Sequence, residues 1–241
     1  MADILRGVTT VLLAGTGSDD DFVSRAFAPA LHDVGAVVVT PPPQPHRLIA
    51  GYRDSLEDAA RAAAPLPIAV GGISIGAAVA TAWAVQHPES VAAVLAALPA
   101  WTGAAGAAPA ALAARHAANL LRSHGLGSAT AQMRASSPTW LADELTRSWA
   151  RQWPVLPDAM DEAARYVAPT AEELAKLTAP IGVVSAADDP VHPVEVGLEW
   201  VSAATRACLR TITLDEIGTD PAILGAQCLA ALRDAAAQAG I

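Results

Sequence analysis

Short runs of β-branched and other apolar residues alternate with stretches of helical periodicity along most of this chain, which limits the folds it can adopt. Strands are predicted at 7–13, 35–40, 67–70, 91–98, 181–184 and 208–214. Helices are predicted at 21–34, 47–64, 75–86, 194–203 and 221–238. Apolar strands that each precede a helix are typical of a parallel sheet covered on both faces. The sequence therefore predicts an α/β fold with a mostly parallel six-stranded sheet, whose ligand site lies at the carboxyl ends of the strands.

The segment after the third predicted strand carries the most specific motif. Gly72-Ile73-Ser74-Ile75-Gly76 joins that strand to the helix at 75–86 and fits the G-x-S-x-G pattern of a nucleophile elbow. A sharp strand-to-helix turn projects the serine over the sheet edge, and the flanking glycines let neighbouring backbone pass close by. The helix that begins at Ile75 directs its N-terminal dipole at an oxyanion. We therefore expect Ser74 to be a catalytic nucleophile.

With this elbow in place, the chain resembles the α/β-hydrolase fold family over nearly its whole length. The resemblance implies an oxyanion-hole loop after the first strand, here Ala14-Gly15-Thr16-Gly17-Ser18. It implies that the backbone N–H groups of Thr16 and Ile75 are the oxyanion donors. It also implies an acid after the fifth strand, where Asp189 matches the family's Asp-Pro-x-x-Pro pattern and Asp188 is an alternative.

The chain departs from the family at the position of the catalytic histidine. The family places this histidine after the last strand, and the matching residue here is Thr219; no histidine follows His192. A threonine hydroxyl cannot accept and return a proton near neutral pH. The best substitute base is His192, in the same predicted loop as Asp189, and Glu216 is a weaker candidate. Locally, Asp220 and Pro221 fit the N-cap and first residue of the closing helix.

Residues 100–177 carry helical periodicity, no clear strand, and four of the six tryptophans: Trp101, Trp140, Trp149 and Trp153. This stretch matches the helical lid that many members of the family carry. We predict a lid at 100–177 and a core domain formed by 1–99 and 178–241. The tryptophans either line an apolar substrate pocket or pack the lid onto the core.

The composition excludes several other classes of function. The net charge is −9, which disfavours nucleic acid and anionic lipid as partners. A dinucleotide site at Gly15 and Gly17 is disfavoured because the third glycine position is Asp20, within three consecutive acids. The two cysteines form no disulfide framework or metal motif, and residues 90–114 are too rich in Pro, Gly and Ala to span a membrane. The N-terminal apolar run is short and broken by glycines, so we expect no signal peptide and a cytoplasmic protein.

Two functional hypotheses follow. The first is a serine hydrolase that cleaves a small or medium apolar carboxylic ester, without metal or cofactor, through Ser74, Asp189 and an unconventional base. The second is a catalytically impaired hydrolase-fold protein that binds a small apolar ligand. A further interpretation takes Thr219 as an introduced substitution. The oligomeric state is not predicted.

Overall fold

The computed structural model of the chain describes residues 4–238. Residues 1–3 and 239–241 of the expected core domain lie outside the described residues. Six parallel strands form one sheet in the order β2-β1-β3-β4-β5-β6. Their bounds are β1 Thr9–Leu13, β2 Val37–Val39, β3 Ile68–Ile73, β4 Val91–Ala97, β5 Ile181–Ala186 and β6 Ala207–Ile212. The predicted six-stranded parallel sheet is confirmed.

Ten α-helices connect and cover these strands within the described residues. They are α1 Asp20–Asp33, α2 Leu48–Ala63, α3 Ile75–Gln86, α4 Pro109–Ser136, α5 Thr139–Gln152, α6 Leu156–Arg165, α7 Ala171–Leu174, α8 Val194–Ala203, α9 Leu214–Thr219 and α10 Ala222–Ala237. The predicted bounds of α3 and α8 match the structure. No helix within residues 4–238 is both long and apolar enough to cross a membrane.

Two inner strands, β3 and β5, are longer than the sequence pattern indicated. β3 continues through Gly71 and Gly72 to Ile73, and all six of its residues are buried. β5 likewise continues to Ala186. Glycine and small residues weaken the strand signal, but the sheet accepts them here because the neighbouring strands and α3 pack closely on both sides. The extension carries β3 up to Ser74 itself.

The helices α4–α7 lie between β4 and β5, where the sequence predicted a helical insertion. α4 is interrupted at Gly125, whose φ of 74° is left-handed. The segment was expected to contain no strand, but an isolated antiparallel bridge joins Ala104 and Val167. Six buried side chains give this segment a small core of its own: Ala118, Leu121, Ala129, Trp149, Leu156 and Met160.

The strand order determines where a ligand can bind. The chain leaves β1 for β2 on one side and then returns to β3 on the other side of β1. The connections that leave β1 and β3 therefore diverge, which opens a crevice at the carboxyl ends of these strands. The β1–α1 loop, defined as residues 14–19, and the turn at Ser74 meet at this crevice.

Candidate active site

Ser74 occupies a strained turn between β3 and α3. Its φ is 55° and its ψ is −116°, and it is 7% exposed. Its backbone N–H donates a hydrogen bond of 2.9 Å to the Ala97 carbonyl, which ties the turn to β4. A non-glycine residue at positive φ is uncommon and is found most often at functional sites, where the surrounding structure compensates for the strain.

The two glycines of the motif are required by the close approach of β1. A Cβ added to Gly72 or to Gly76 would overlap with the Leu13 carbonyl oxygen. Gly72 also has a φ of 152°. The spacing of glycines around Ser74 therefore reflects contact between the turn and the β1 backbone, as the sequence motif predicted.

The loop that follows β5 brings His192 to Ser74. His192 Nε2 lies 3.0 Å from Ser74 Oγ, and His192 Nδ1 lies 2.8 Å from Asp189 Oδ2. An ionised carboxylate can only accept, so Nδ1 carries a proton and donates it to Asp189. Nε2 is then free to accept the hydrogen bond from the Ser74 hydroxyl when the imidazole is neutral.

Asp189 is held by its own loop. Its Oδ1 accepts hydrogen bonds from the backbone N–H groups of Val191, at 2.7 Å, and of His192, at 3.2 Å. Its side chain is 7% exposed, and that of His192 is 17% exposed. Burial alone raises the pKa of Asp189, but the hydrogen bond and charge of His192 and the two backbone N–H groups outweigh it, so the pKa lies below its ordinary value. Asp189 is therefore ionised at neutral pH and fixes the ring of His192.

Thr219 lies at the end of α9 and does not contact this cluster. Its Oγ1 donates a hydrogen bond of 2.9 Å to the Asp215 carbonyl, and its side chain is exposed. Glu216, the weaker candidate base, instead forms a capping box with Thr213 at the start of α9. The segment after β6 thus forms a short capped helix where the family places a histidine loop. The two-residue signature Thr213-x-x-Glu216 was the missed signal for that helix.

Asp188 and Asp220 have local structural roles. Asp188 Oδ1 accepts a 2.8 Å hydrogen bond from the Leu214 backbone N–H, which links the loop of Asp189 to the start of α9. Asp220 Oδ1 accepts one of 2.9 Å from the Ala222 N–H. α10 begins at Ala222 with Pro221 as its N-cap, so the prediction of Asp220 as N-cap and Pro221 as first helical residue is wrong by one position.

Within the part of the chain that the structure describes, none of the other histidines bonds to Ser74. His87 stacks on Trp83 with ring centroids 4.4 Å apart, and His124 contacts Ser123. His116 lines the same pocket as Ser74 but no hydrogen bond joins the two among the described residues.

The β1–α1 loop forms a tight turn beside Ser74. The Ser18 N–H donates to the Gly15 carbonyl at 3.0 Å, which places Thr16 and Gly17 at the centre of the turn. Gly17 has a φ of 74°, as the third position of such a turn often requires. A Cβ added to Gly15 would lie 3.6 Å from the Ser74 Cβ, so the turn lies directly against the elbow. Asp19 caps α1 through a 3.1 Å hydrogen bond from the Phe22 N–H.

A largely apolar pocket of about 590 Å³ opens over Ser74. Its walls come from the β1–α1 loop, from α4 and α5, and from α9. Among the tryptophans of the insertion, Trp101, Trp140 and Trp149 line it, whereas Trp153 is 38% exposed. Asp189 and Glu144 are the acidic residues of the lining, which includes no lysine or arginine. Across residues 4–238, no three His, Cys, Asp or Glu side chains gather closely enough to hold a metal ion.

No pattern in the sequence indicates how α5 contacts the β1–α1 loop. Arg147 of α5 forms a bidentate ion pair with Asp19, with Nη1–Oδ2 and Nη2–Oδ1 distances of 2.6 and 3.0 Å. Gln152 Nε2 donates to the Ser18 carbonyl at 2.9 Å. These contacts join residues that are 128 and 134 positions apart, and no local pattern encodes such pairs.

Solved structures with a similar fold include several hydrolases. MenH from S. aureus superposes with a TM-score of 0.70 at 12% identity, covering 98% of this chain and 97% of that one. A putative non-heme bromoperoxidase, BpoC from Mycobacterium tuberculosis, gives 0.67 at 19% identity over 95% and 93%. A thermophilic esterase from Thermogutta terrifontis gives 0.63 at 17% identity over 86% and 82%. At these identities the likeness shows the fold alone.

Sequence comparison identifies the family. No curated protein sequence matches the chain significantly. The family profile described as serine aminopeptidase, S33, matches residues 43–217, a span that contains Ser74, Asp189 and His192. This match covers more than half of the 241 residues, and the expected α/β-hydrolase relationship is confirmed. The chain belongs to the serine aminopeptidase S33 family of α/β-hydrolase-fold proteins.

Proposed function

We propose that the protein is a serine hydrolase that cleaves small or medium apolar carboxylic esters, with Ser74 as nucleophile, His192 as base and Asp189 as acid. The observation that carries this proposal is the continuous hydrogen-bond chain from Ser74 Oγ to His192 Nε2, at 3.0 Å, and from His192 Nδ1 to Asp189 Oδ2, at 2.8 Å. Both distances are those of a nucleophile, base and orienting group that act together.

The proposed reaction has two halves. Ser74 Oγ attacks the ester carbonyl carbon while His192 Nε2 takes the hydroxyl proton. The bond from the carbonyl carbon to the alkoxide then breaks, the alkoxide takes the Nε2 proton and leaves as an alcohol, and the acyl group remains on Ser74 Oγ. In the second half, His192 takes a proton from water, the hydroxide attacks the acyl carbon, and the proton returns to Ser74 as the carboxylic acid leaves.

We assign the oxyanion hole to the N–H groups of Thr16 and Ile75. Ile75 is the first residue of α3, so its N–H has no acceptor within the helix. Thr16 lines the pocket, in the turn that lies against Ser74. Two such donors stabilise the charge that develops on the carbonyl oxygen, and the loss of one commonly costs about 10²–10³-fold in kcat.

The pocket supports an uncharged, apolar substrate. Alanine, leucine, methionine and tryptophan make up half of its lining residues, and the lining includes no lysine or arginine that would pair with a substrate carboxylate. We further propose that α4 and α5 act as a lid that excludes water from this pocket.

Peptide cleavage, the activity that the family is named for, is less well supported by this pocket. An aminopeptidase needs an unpaired acid for the substrate's ammonium group. Glu144, the lining acid other than Asp189, already pairs with Arg25 at 2.7 Å and with Arg147 at 2.8 Å. The hypothesis of a non-catalytic binder rested on the missing histidine after β6, and the contact of His192 with Ser74 removes that support.

The proposal is tested by intact mass after exposure to an alkyl fluorophosphonate, with hydrolysis of 4-nitrophenyl butyrate measured in parallel. We expect one adduct and ester turnover, both abolished in Ser74→Ala. Cleavage of an aminoacyl 4-nitroanilide is the peptidase comparison and is expected to be much slower. A folded wild-type protein that gains no adduct and cleaves neither substrate would contradict the assignment.

A further inference from the structure

Helix α5 of the insertion contacts three successive residues of the β1–α1 loop. Gln152 bonds to the Ser18 carbonyl, Trp149 packs on Gly17, and Arg147 binds the Asp19 carboxylate. A Cβ added to Gly17 would lie 2.8 Å from Trp149 Nε1, so the indole ring covers this glycine directly. The three residues that make these contacts, Arg147, Trp149 and Gln152, all belong to α5.

These contacts are largely removed from water. Asp19 is 3% exposed, Trp149 4% and Gln152 8%. Gln152 is itself oriented by Ser148, whose Oγ accepts a second hydrogen bond from Nε2 at 2.8 Å. Hydrogen bonds in such an environment hold their geometry more firmly than exposed ones, because no water competes for the partners.

At the opposite end of the loop, a side chain of the core donates a hydrogen bond to the backbone. Tyr52 of α2 donates a 2.9 Å hydrogen bond to the Ala14 carbonyl. Between this anchor and α5 lie Gly15, Thr16 and Gly17, in a turn closed by the bond from the Ser18 N–H to the Gly15 carbonyl, and Ser18 is itself held by Gln152. The orientation of the Thr16 N–H is therefore set by both anchors together.

We infer that α5 positions the oxyanion hole, and that Gln152 and Arg147 are positioning residues for the reaction through the Ser18 carbonyl and Asp19. This inference rests on the proposed function, since it concerns the step in which Ser74 attacks an ester. It means that the helical insertion contributes to transition-state stabilisation as well as to the wall of the pocket.

Removing the Gln152 donor is the sharpest test. In Gln152→Met the side chain keeps its length but cannot bond to the Ser18 carbonyl. We expect kcat for 4-nitrophenyl butyrate to fall about 10-fold or more, with KM changed by less than about 2-fold, because only the transition state uses the oxyanion donors. The inhibition constant of an alkyl boronic acid, which forms a tetrahedral adduct on the serine, should rise in parallel.

Thr146→Val is the matched control. It is an isosteric polar-to-apolar change on the same helix, and the Thr146 hydroxyl bonds to the Ala142 carbonyl and accepts from Arg134, away from the loop. Titration with the fluorophosphonate corrects all rates for the fraction of active protein. Arg147→Lys, which keeps the charge but loses the bidentate geometry of the ion pair with Asp19, is a milder second variant and should give an intermediate fall in kcat.

Two outcomes would overturn the inference. Wild-type kcat and boronate affinity in both variants would show that the loop holds its geometry without α5. A fall in rate explained by a smaller active fraction would show that the contacts only stabilise the fold. If wild-type protein hydrolyses the ester and Ser74 is labelled in either case, the proposed function stands and this inference alone fails; if Ser74 is inert, both fail.

Discussion

The two loops that meet at Ser74 are organised in opposite ways. The loop after β5 is nearly self-contained, since Asp189 binds the Val191 and His192 N–H groups and the His192 ring, all within three residues. The β1–α1 loop depends on distant partners, with Tyr52 of α2 at one end and α5 at the other. Each loop carries a carboxylate that is almost fully buried, Asp189 in the first loop and Asp19 in the second.

This difference separates two kinds of constraint on a catalytic site. A locally closed loop keeps its geometry as long as its own residues are intact. Substitutions in it should therefore lower activity by removing a reacting group. A loop held by remote helices is sensitive to changes elsewhere in the molecule, so substitutions there should lower activity by displacing its backbone. The following variants test this distinction, from the largest expected effect to the smallest.

Removal of the base should have the largest effect. His192→Ala is expected to lower kcat for 4-nitrophenyl butyrate by about 10⁴–10⁶-fold, because His192 is the proposed acceptor of the Ser74 proton and is the side chain that bonds to Ser74 Oγ among the described residues. His116→Ala, a second histidine of the same pocket, should change kcat by less than about 10-fold. Comparable losses in both variants would show that the local hydrogen-bond chain is not the catalytic unit.

Neutralising the acid should have the next largest effect. Asp189→Asn is expected to lower kcat by about 10⁴-fold, since the amide favours the wrong imidazole tautomer. The neighbouring change Asp188→Asn retains an acceptor for the Leu214 N–H and should keep kcat within a few-fold. If Asp188→Asn were the more damaging variant, the assignment of the acid would be wrong.

A geometric failure of the β1–α1 loop should follow from Gly17→Ala. Its added Cβ would press on Trp149 at a φ of 74°, and we expect kcat to fall about 10–100-fold. Gly7→Ala is the matched control, because Gly7 has the same φ and nothing lies within 4 Å of an added Cβ. Equal losses of kcat would attribute the effect to backbone strain alone. The measurement is steady-state kinetics alongside thermal unfolding.

The ion pair between Asp19 and Arg147 also predicts that the free energy of unfolding depends on pH. Burial raises the pKa of Asp19. The hydrogen bonds from Arg147 and from the Phe22 N–H, together with the nearby guanidinium charges, lower it by more, so the pKa lies below the ordinary 3.8. A depressed folded-state pKa stabilises the fold above the unfolded value, and this stabilisation is lost as the pH falls through the folded value.

Asp19→Asn isolates this charge, because asparagine still caps α1. At pH 7 we expect the variant to be less stable by about 1–2 kcal/mol, or roughly 2–8 °C in Tm. The difference should persist down to about pH 5, narrow as the pH falls below 3.8, and be lost only as the pH falls through the lower folded-state pKa. Thermal unfolding of both proteins at pH 7 and pH 3 measures it. A gap that stays constant at pH 3 would show that the charge of Asp19 is not responsible.

The smallest effect is expected at the family's histidine position. Thr219→His should change kcat by less than about 2-fold and should not restore activity to His192→Ala, because Thr219 is exposed on α9 and the proton acceptor is already supplied by His192. Rescue of His192→Ala by Thr219→His would show that the base can still be provided after β6.

Features with a local signal were predictable from the sequence. The period of the apolar residues gave the sheet, and the glycine spacing gave the elbow at Ser74, because close contact with β1 admits no side chain at Gly72 or Gly76. The Asp-Pro-x-x-Pro pattern gave the loop of Asp189. His192 was a candidate because it lies in that loop, but its distance to Ser74, 118 positions away, required the tertiary structure.

Contacts between distant segments were not predictable. Asp19 caps α1, a role that an acid just before a helix often has, but its pairing with Arg147 has no local signature. The same holds for Trp149, which could equally have packed anywhere on the core. Helical periodicity shows that α5 exists, whereas its placement follows from shape and charge complementarity that only the folded chain reveals.

The loop that carries both Asp189 and His192 also affects how this site can diversify. When acid and base share one segment, the residues after β6 no longer carry a proton-transfer group and instead contribute Leu214 and Ile217 to the pocket wall. Side-chain changes on α9 can then alter substrate preference without altering the reacting groups. For directed evolution, this makes residues 214 and 217 a mutable surface in a position that other members of the fold reserve for the base.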